Sequence, residues 1–285
     1  MRPLARHLFQ LGGSLAVAGG LYAALFFLER RRPLRREHEP KLRRNARNLA
    51  VAGLTAAAMQ LAERPVVAPL ARRVDRRNLG LLPRLKIPRP AETLLAVVLL
   101  DYTLYLWHVL THRVPALWRF HQVHHADLDL DASTALRFHF GEIVISVAWR
   151  AAQVLLIGVR PRALSAWQQF LFASILFHHS NLRLPVGVER RLCPLIMTPR
   201  LHGIHHSSRD GESEANWSSG LTLWDWLHGT LRVDIPQNSI PIGVAGYREP
   251  SAVVLPKLLA MPFQAQRGTR VPPGLPTSRS LRLAD

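Results

Sequence analysis

The sequence predicts an all-α integral membrane protein. About four transmembrane helices carry a histidine-rich site for two metal ions in a helical cap on their cytoplasmic side. Three observations predict it: long apolar runs alternate with arginine-rich loops, 12 of the 14 histidines fall between His108 and His228, and helical spacings recur among them. Composition divides the 285 residues into three regions without a sharp boundary. Residues 1–91 form an N-terminal membrane region with basic loops, and 92–232 the histidine-bearing domain. Residues 233–285 form an interfacial segment and a disordered basic tail.

The charge balance is strongly basic, with 37 Lys+Arg against 19 Asp+Glu. Residues 1–91 alone hold 19 basic and 5 acidic side chains. Such a surplus can serve nucleic acid or an anionic membrane surface. Here the arginines lie between long apolar runs and are not interleaved with aromatics, which favours the membrane and argues against a nucleic-acid partner. Cys193 is the single cysteine, so an internal disulfide and a thiolate cluster are both excluded. Any metal must be held by nitrogen or oxygen.

Leu8–Leu28 runs without a charge for long enough to cross a hydrocarbon core of about 30 Å. It exceeds the apolar core of a signal peptide, about 7–15 residues, and no small-residue cleavage site precedes Glu29, so a retained span is expected. Residues 30–47 carry nine Lys/Arg against Glu37 and Glu39. They read as a solvated cytoplasmic linker, with the amino terminus outside. Asn48–Ala62 is apolar but is interrupted by Glu63-Arg64-Pro65, as a broken span or a re-entrant helix would be. Residues 72–89 are basic again, which conflicts with placing that loop outside.

Leu94–Trp107 is the next apolar helix and contains Asp101. An acid there is costly and marks either a functional group or a polar packing contact. It lies about two turns before His108, close enough in phase to accept a ring N–H from a ligand histidine. Ile143–Val159 and Ser165–Phe177, joined by Arg160-Pro161-Arg162, predict a helical hairpin that returns the chain to the side of the histidines. Ser207–Ser213 is polar, residues 216–226 are aromatic-rich, 251–263 are expected at a membrane interface, and 264–285 form the tail.

His108 and His112 are one helical turn apart and project from one face. His121 pairs with His124 and His125 on the same basis, and His202-Gly203-Ile204-His205-His206 repeats that pattern. Adjacent histidines diverge, so each pair can address two ions. Eight ligands exceed the roughly four of one tetrahedral site and suit two ions with open positions. All-nitrogen ligation permits zinc, iron, copper or nickel. A site at the ends of apolar helices would meet lipid, and attack on an unactivated C–H bond needs oxygen chemistry, which iron performs and zinc does not.

The ordered motifs WHVLTH, HQVHHAD, TALRFH, FHHSN, TPRLHGIHH and LWDWLHGT resemble those of the fatty acid hydroxylase/sterol desaturase superfamily of membrane di-iron oxygenases. The resemblance covers roughly residues 92–232. It implies two iron ions that activate O2 and a lipid substrate that is hydroxylated or desaturated. It also implies electrons from an external donor: a reductase, a ferredoxin or a cytochrome b5-like protein. The expected place is an integral, multi-pass one, as in a bacterial inner membrane, with the site facing the cytoplasm. The eight motif histidines map onto family ligands, His179 of H-S-N is a ninth, and His139 is a tenth ligand or a supporting donor. His178 falls at a variable position beside the site. Asn181, Asn216 and Asp225 match polar positions expected to orient ligands or cap helices. Phe140 replaces a proline, Ala126 a serine, and Trp226 and His228 replace Arg and Phe; these changes bear on substrate and loop shape. His7, His38 and His228 are expected at the surface. The rival readings are a zinc-dependent membrane hydrolase, for which the H-E-x-x-H pattern is missing, and a non-catalytic metal- or lipid-binding membrane protein.

Overall fold

The structure is a computed structural model that describes residues 2–209 and 211–267, with side chains from Ala16 onward. Regular structure among these residues is helical apart from isolated bridges such as Pro33 with Leu182. Five long helical passes run between two ends of the molecule, and the histidines gather at one of them.

Helix α1 (Arg2–Arg31) contains the Leu8–Leu28 run and ends against the histidine-bearing side, where Leu25 packs with Ala132, Ala135 and Leu176. The next pass consists of α2 (Lys41–Ala58), a π-helical turn (Met59–Glu63) and α3 (Arg64–Arg77). The Glu63-Arg64-Pro65 interruption therefore does not break the helix. The π turn absorbs the misfit of Pro65, which has no N–H to donate, where the helical register shifts into α3. Glu63, buried in this pass, meets Arg150 at 3.3 Å. The pass ends at Asn78, whose left-handed backbone (φ 50°) caps α3.

At the opposite end Leu81 N donates to Leu156 O at 2.9 Å, and Arg160 binds Asp75, Glu92 and Asn78. Gly80 and Gly158 cross there so closely that a Cβ on Gly80 would lie 2.3 Å from Gly158 Cα.

Helix α4 (Arg89–Arg113) returns to the histidine end. Val114 is held extended (φ −90°, ψ 114°) by the following proline, so α5 (Pro115–His125) starts in a new direction. Helix α6 (Phe140–Gln153), extended by a π turn (Val154–Gly158), and α7 (Pro161–His179) form the expected hairpin. Arg89–Arg113 and Phe140–Gly158 are long and apolar enough to cross a membrane, by length and composition. Val67, Val74, Leu100, Val154 and Trp167 pack the passes together.

Short helices complete the cap: α8 (Val186–Leu192), α9 (Pro199–His205) and α11 (Leu255–Ala260), while α10 (Leu223–His228) packs along α4 through Trp224. The 251–263 segment buries Val253, Leu258 and Met261 against Val51 of α2 and Val123 of α5, while Phe263 is exposed. Residues 268–285, most of the expected tail, lie outside the described residues.

Candidate metal centre

Two groups of four buried histidines form where α4, α5, α7 and α9 meet. The first joins His108 and His112 of α4 to His125 of α5 and His205 of α9. The second joins His124 of α5 and His179 of α7 to His202 and His206. In each group one ring nitrogen per residue lies within 4.8 Å of the others. Neighbours on a helix are turned about 100° apart, which is why His124 and His125 part company, as do His205 and His206. Spacing alone anticipated that division. His125 and His206 stack at 4.2 Å between ring centroids, so the two groups adjoin.

Protonation can be read from the hydrogen bonds. A carbonyl only accepts, so Nδ1 must donate in His108 to Trp217 O (2.6 Å), in His179 to Ile175 O (2.8 Å) and in His205 to Ala215 O (3.0 Å). Their Nε2 atoms then carry lone pairs. His179 Nε2 lies 3.0 Å from the Nε2 atoms of both His124 and His202, and His206 Nε2 lies 3.1 Å from that of His202. In the first group His112 and His125 meet Nε2 to Nε2 at 3.0 Å, and His205 Nε2 is buried without a hydrogen-bond partner. The Nε2 atoms of His108, His179 and His205 thus face the two groups unprotonated, with lone pairs a cation could take. The donor set therefore fits metal ions. Burial first, and the neighbouring histidines second, push His124, His125, His202, His205 and His206 well below the usual imidazole range. All five are neutral at pH 7, as ligands must be.

The remaining candidate residues are placed as follows. His121 belongs to neither group of four. Its Nδ1 bonds Glu142 at 3.0 Å, its Nε2 has no hydrogen-bond partner, and its ring lies 4.9 Å from that of His112. His139 reaches neither group. Its Nδ1 accepts from Gly141 N at 3.0 Å, so it caps α6, and Nε2 is left to donate to Leu259 O at 3.2 Å. His178 is buried beside the second group, 4.2 Å from the His202 ring.

Asp101 does not reach a histidine. It accepts from Leu221 N (3.0 Å) and Trp224 Nε1 (2.7 Å), while His108 takes the Trp217 carbonyl instead. Asp225 accepts from Trp217 N (2.8 Å) and Ser218 N (2.9 Å), which sets that carbonyl against His108. Asn216, with φ 55°, ties Leu201 O to the backbone of Arg232 through bonds of 2.8 Å. Asn181 exchanges two bonds with the Arg35 backbone, at 2.8 and 2.9 Å, and so fastens the α1–α2 connection.

Sequence reasoning missed Glu142, the Trp217 backbone and ring, and the buried charges around Asp127. Glu142 was detectable as an acid three residues beyond His139, in the first turn of an apolar helix.

A model of the fatty acid hydroxylase family matches residues 93–230. Among curated proteins, the ornithine lipid hydroxylase OlsE of Rhizobium tropici is 32% identical over 160 residues, which are 56% of this chain and 47% of that protein. Alkylglycerol monooxygenase of Homo sapiens is 28% identical over 47% of this chain and 29% of its own length. Cholesterol 25-hydroxylase of Mus musculus is 26% identical over 50% of this chain and 47% of its own length. The alignments thus span about half of these relatives or less. No solved structure matches. The matched stretch begins and ends around the two histidine groups and the 215–230 loop that orients them, so that residues 93–230 form a domain matching the fatty acid hydroxylase family.

Proposed function

We propose that this chain is a membrane-bound oxygenase that hydroxylates a lipid, using O2, two iron ions held by the histidine groups, and electrons from a separate donor. One observation carries the reading: eight buried imidazoles form two adjoining groups of four, with Nε2 atoms meeting at 3.0 Å. Bound iron would supply the activation of O2 and the oxidation of a C–H bond.

The chain's own residues do the rest. Backbone carbonyls of Trp217, Ala215 and Ile175 hold the Nδ1 protons and so aim unprotonated Nε2 atoms inward. Burial keeps water from the site. His121, fixed by Glu142, flanks the first group and is a further candidate ligand. His139 serves instead as the cap of α6. Exposed apolar side chains on the passes, among them Leu61, Leu94 and Leu156, suit contact with acyl chains. The similar proteins are named as hydroxylases and monooxygenases, which favours hydroxylation over desaturation. The electron donor is a reductase, a ferredoxin or a cytochrome b5-like protein that approaches from the cytoplasm.

Two measurements test this. Metal analysis of the detergent-purified chain should find iron at about one ion per histidine group, and the reduced protein should consume O2. Lipids from cells with and without the gene should differ by species carrying one added oxygen atom. Zinc in place of iron, with no response to reductant, would overturn the proposal and favour a hydrolase.

A further inference from the structure

Residues 217–228 follow the last histidine motif, yet they do not stay in the cap. Trp217, Leu221 and Trp224 pack along a stripe of α4 that runs from Val98 through Tyr102 and Leu106 to Val109. That stripe covers about 16 Å of helix, and it lies within Arg89–Arg113, a segment long and apolar enough to cross a bilayer. Helix α7 forms the second wall. Ser174 Oγ donates to Ser219 O at 2.6 Å, and a Cβ on Gly220 would lie 2.7 Å from the Phe170 ring and 2.3 Å from Asp101 Oδ1. Only glycine lets the loop sit so deep between the two helices.

At such depth a non-helical backbone survives only where protein satisfies its polar groups. Several of this loop's are met by protein. Leu221 N is taken by Asp101, Trp217 N and Ser218 N by Asp225, and Thr222 N by Leu195 O, while Gly220 O accepts from Met197 N. The outward face is apolar and bare: Leu223 is 44% exposed, Trp226 63% and Leu227 59%.

We propose that residues 217–228 form a re-entrant element lodged in the bilayer beside α4 and α7, anchored by Asp101, with Leu223, Trp226 and Leu227 in contact with acyl chains. The proposal rests on the membrane reading of the preceding section. It explains why an acid sits in the middle of an apolar helix: Asp101 answers the N–H groups of a loop that water does not reach. At its inner end the element touches the first histidine group, since the Trp217 ring lies 4.6 Å from His112 and 5.1 Å from His205. Through it the lipid-facing surface is continuous with the metal centre.

Spin labels on Leu223→Cys and Leu227→Cys, in the full chain reconstituted in phosphatidylcholine/phosphatidylglycerol vesicles, test it. Cys193 is buried, so the parent chain should take up no label. Leu94→Cys on α4 serves as the lipid reference and Arg191→Cys on α8 as the aqueous one. Labels at 223 and 227 should collide readily with O2 and several-fold less with a water-soluble nickel chelate than the label at 191. Asp101→Leu should raise nickel access at 227, whereas Asp101→Asn keeps an acceptor and should preserve the depth. Nickel access at 223 and 227 equal to that at 191 overturns the proposal. If the label at 94 also reads as aqueous, the membrane reading falls with it, while iron content of the same samples reports separately on the histidine groups.

Discussion

The histidines divide the labour by which ring nitrogen holds the proton, and this has consequences for pH. His124, His125, His202, His205 and His206 are driven well below the ordinary imidazole value, about 6.5, by burial and by one another. The unfolded chain takes up protons below that value which the folded, metal-free chain refuses. Stability is therefore full above about pH 6.5 and is lost as the pH falls beneath it. Metal-free protein in detergent should melt at a clearly lower temperature at about pH 5 than at about pH 7.5; a flat profile would mean that the folded rings take up protons as readily as the unfolded ones. Asp225 acts one step removed, through the backbone of Trp217 and Ser218. Asp225→Ala should weaken metal binding by about 10–100-fold while leaving the chain folded, read by metal titration alongside a melting curve, with Asp225→Asn recovering part of the loss. The spacing of the grouped histidines was readable in the sequence because one helix turn fixes their relation. The partners of their second nitrogens were not, since His108 and Trp217 stand 109 positions apart.

At the scale of elements, the largest departure from expectation is the basic stretch at 30–47. Its charges read as a solvated linker, but Arg44 is fully buried and Lys41 nearly so. Arg44 meets Asp127 at 2.9 Å and also binds Asp131, Lys41 meets Glu29 and Asp131 at 2.8 Å, and Arg137 meets Asp127 at 3.0 Å. Burial alone would raise the Asp127 carboxyl, but Arg44, then Arg137 and Arg47, hold it down at about 2. Asp127 lies two residues beyond His125, and Arg137 also donates to Val123 O in the same turn of α5 at 3.0 Å. The start of α2 thus clamps the end of the helix that supplies a histidine to each group. Removing one member leaves the others buried and uncompensated, a loss of about 3–5 kcal/mol. Arg44→Met should accordingly lower the melting temperature strongly, whereas Arg43→Met on the exposed neighbouring position should change stability by no more than about 0.5 kcal/mol. Equal effects would show that the clamp contributes nothing. The sequence held a clue in the alternating aspartates at 127, 129 and 131, but charge signs do not disclose pairing across more than 80 positions.

At the scale of the whole molecule, the two basic stretches cease to contradict each other. Residues 30–47 lie at the histidine end and 72–89 at the opposite end, because α2, the π turn and α3 carry the chain from one to the other. Composition could not reveal this, since Glu63, Arg64 and Pro65 look like a break until Arg150 is found beside Glu63. Nor can positive charge alone orient the bundle. After pairing, exposed arginines remain at both ends, Arg36 and Arg43 at one and Arg72, Arg76 and Arg77 at the other. The proposed function supplies an orientation instead: if a soluble carrier delivers the electrons from the cytoplasm, the histidine end should face it. Arg43→Cys and Arg77→Cys, treated with a membrane-impermeant maleimide, should then label from opposite sides: position 77 in intact spheroplasts, position 43 only in inverted vesicles. Labelling of both from one side would mean that the segment between them turns back within the bilayer, and the five-pass arrangement would fail. Labelling from opposite sides in the reverse sense would keep that arrangement and place the metal centre away from the cytoplasmic donors.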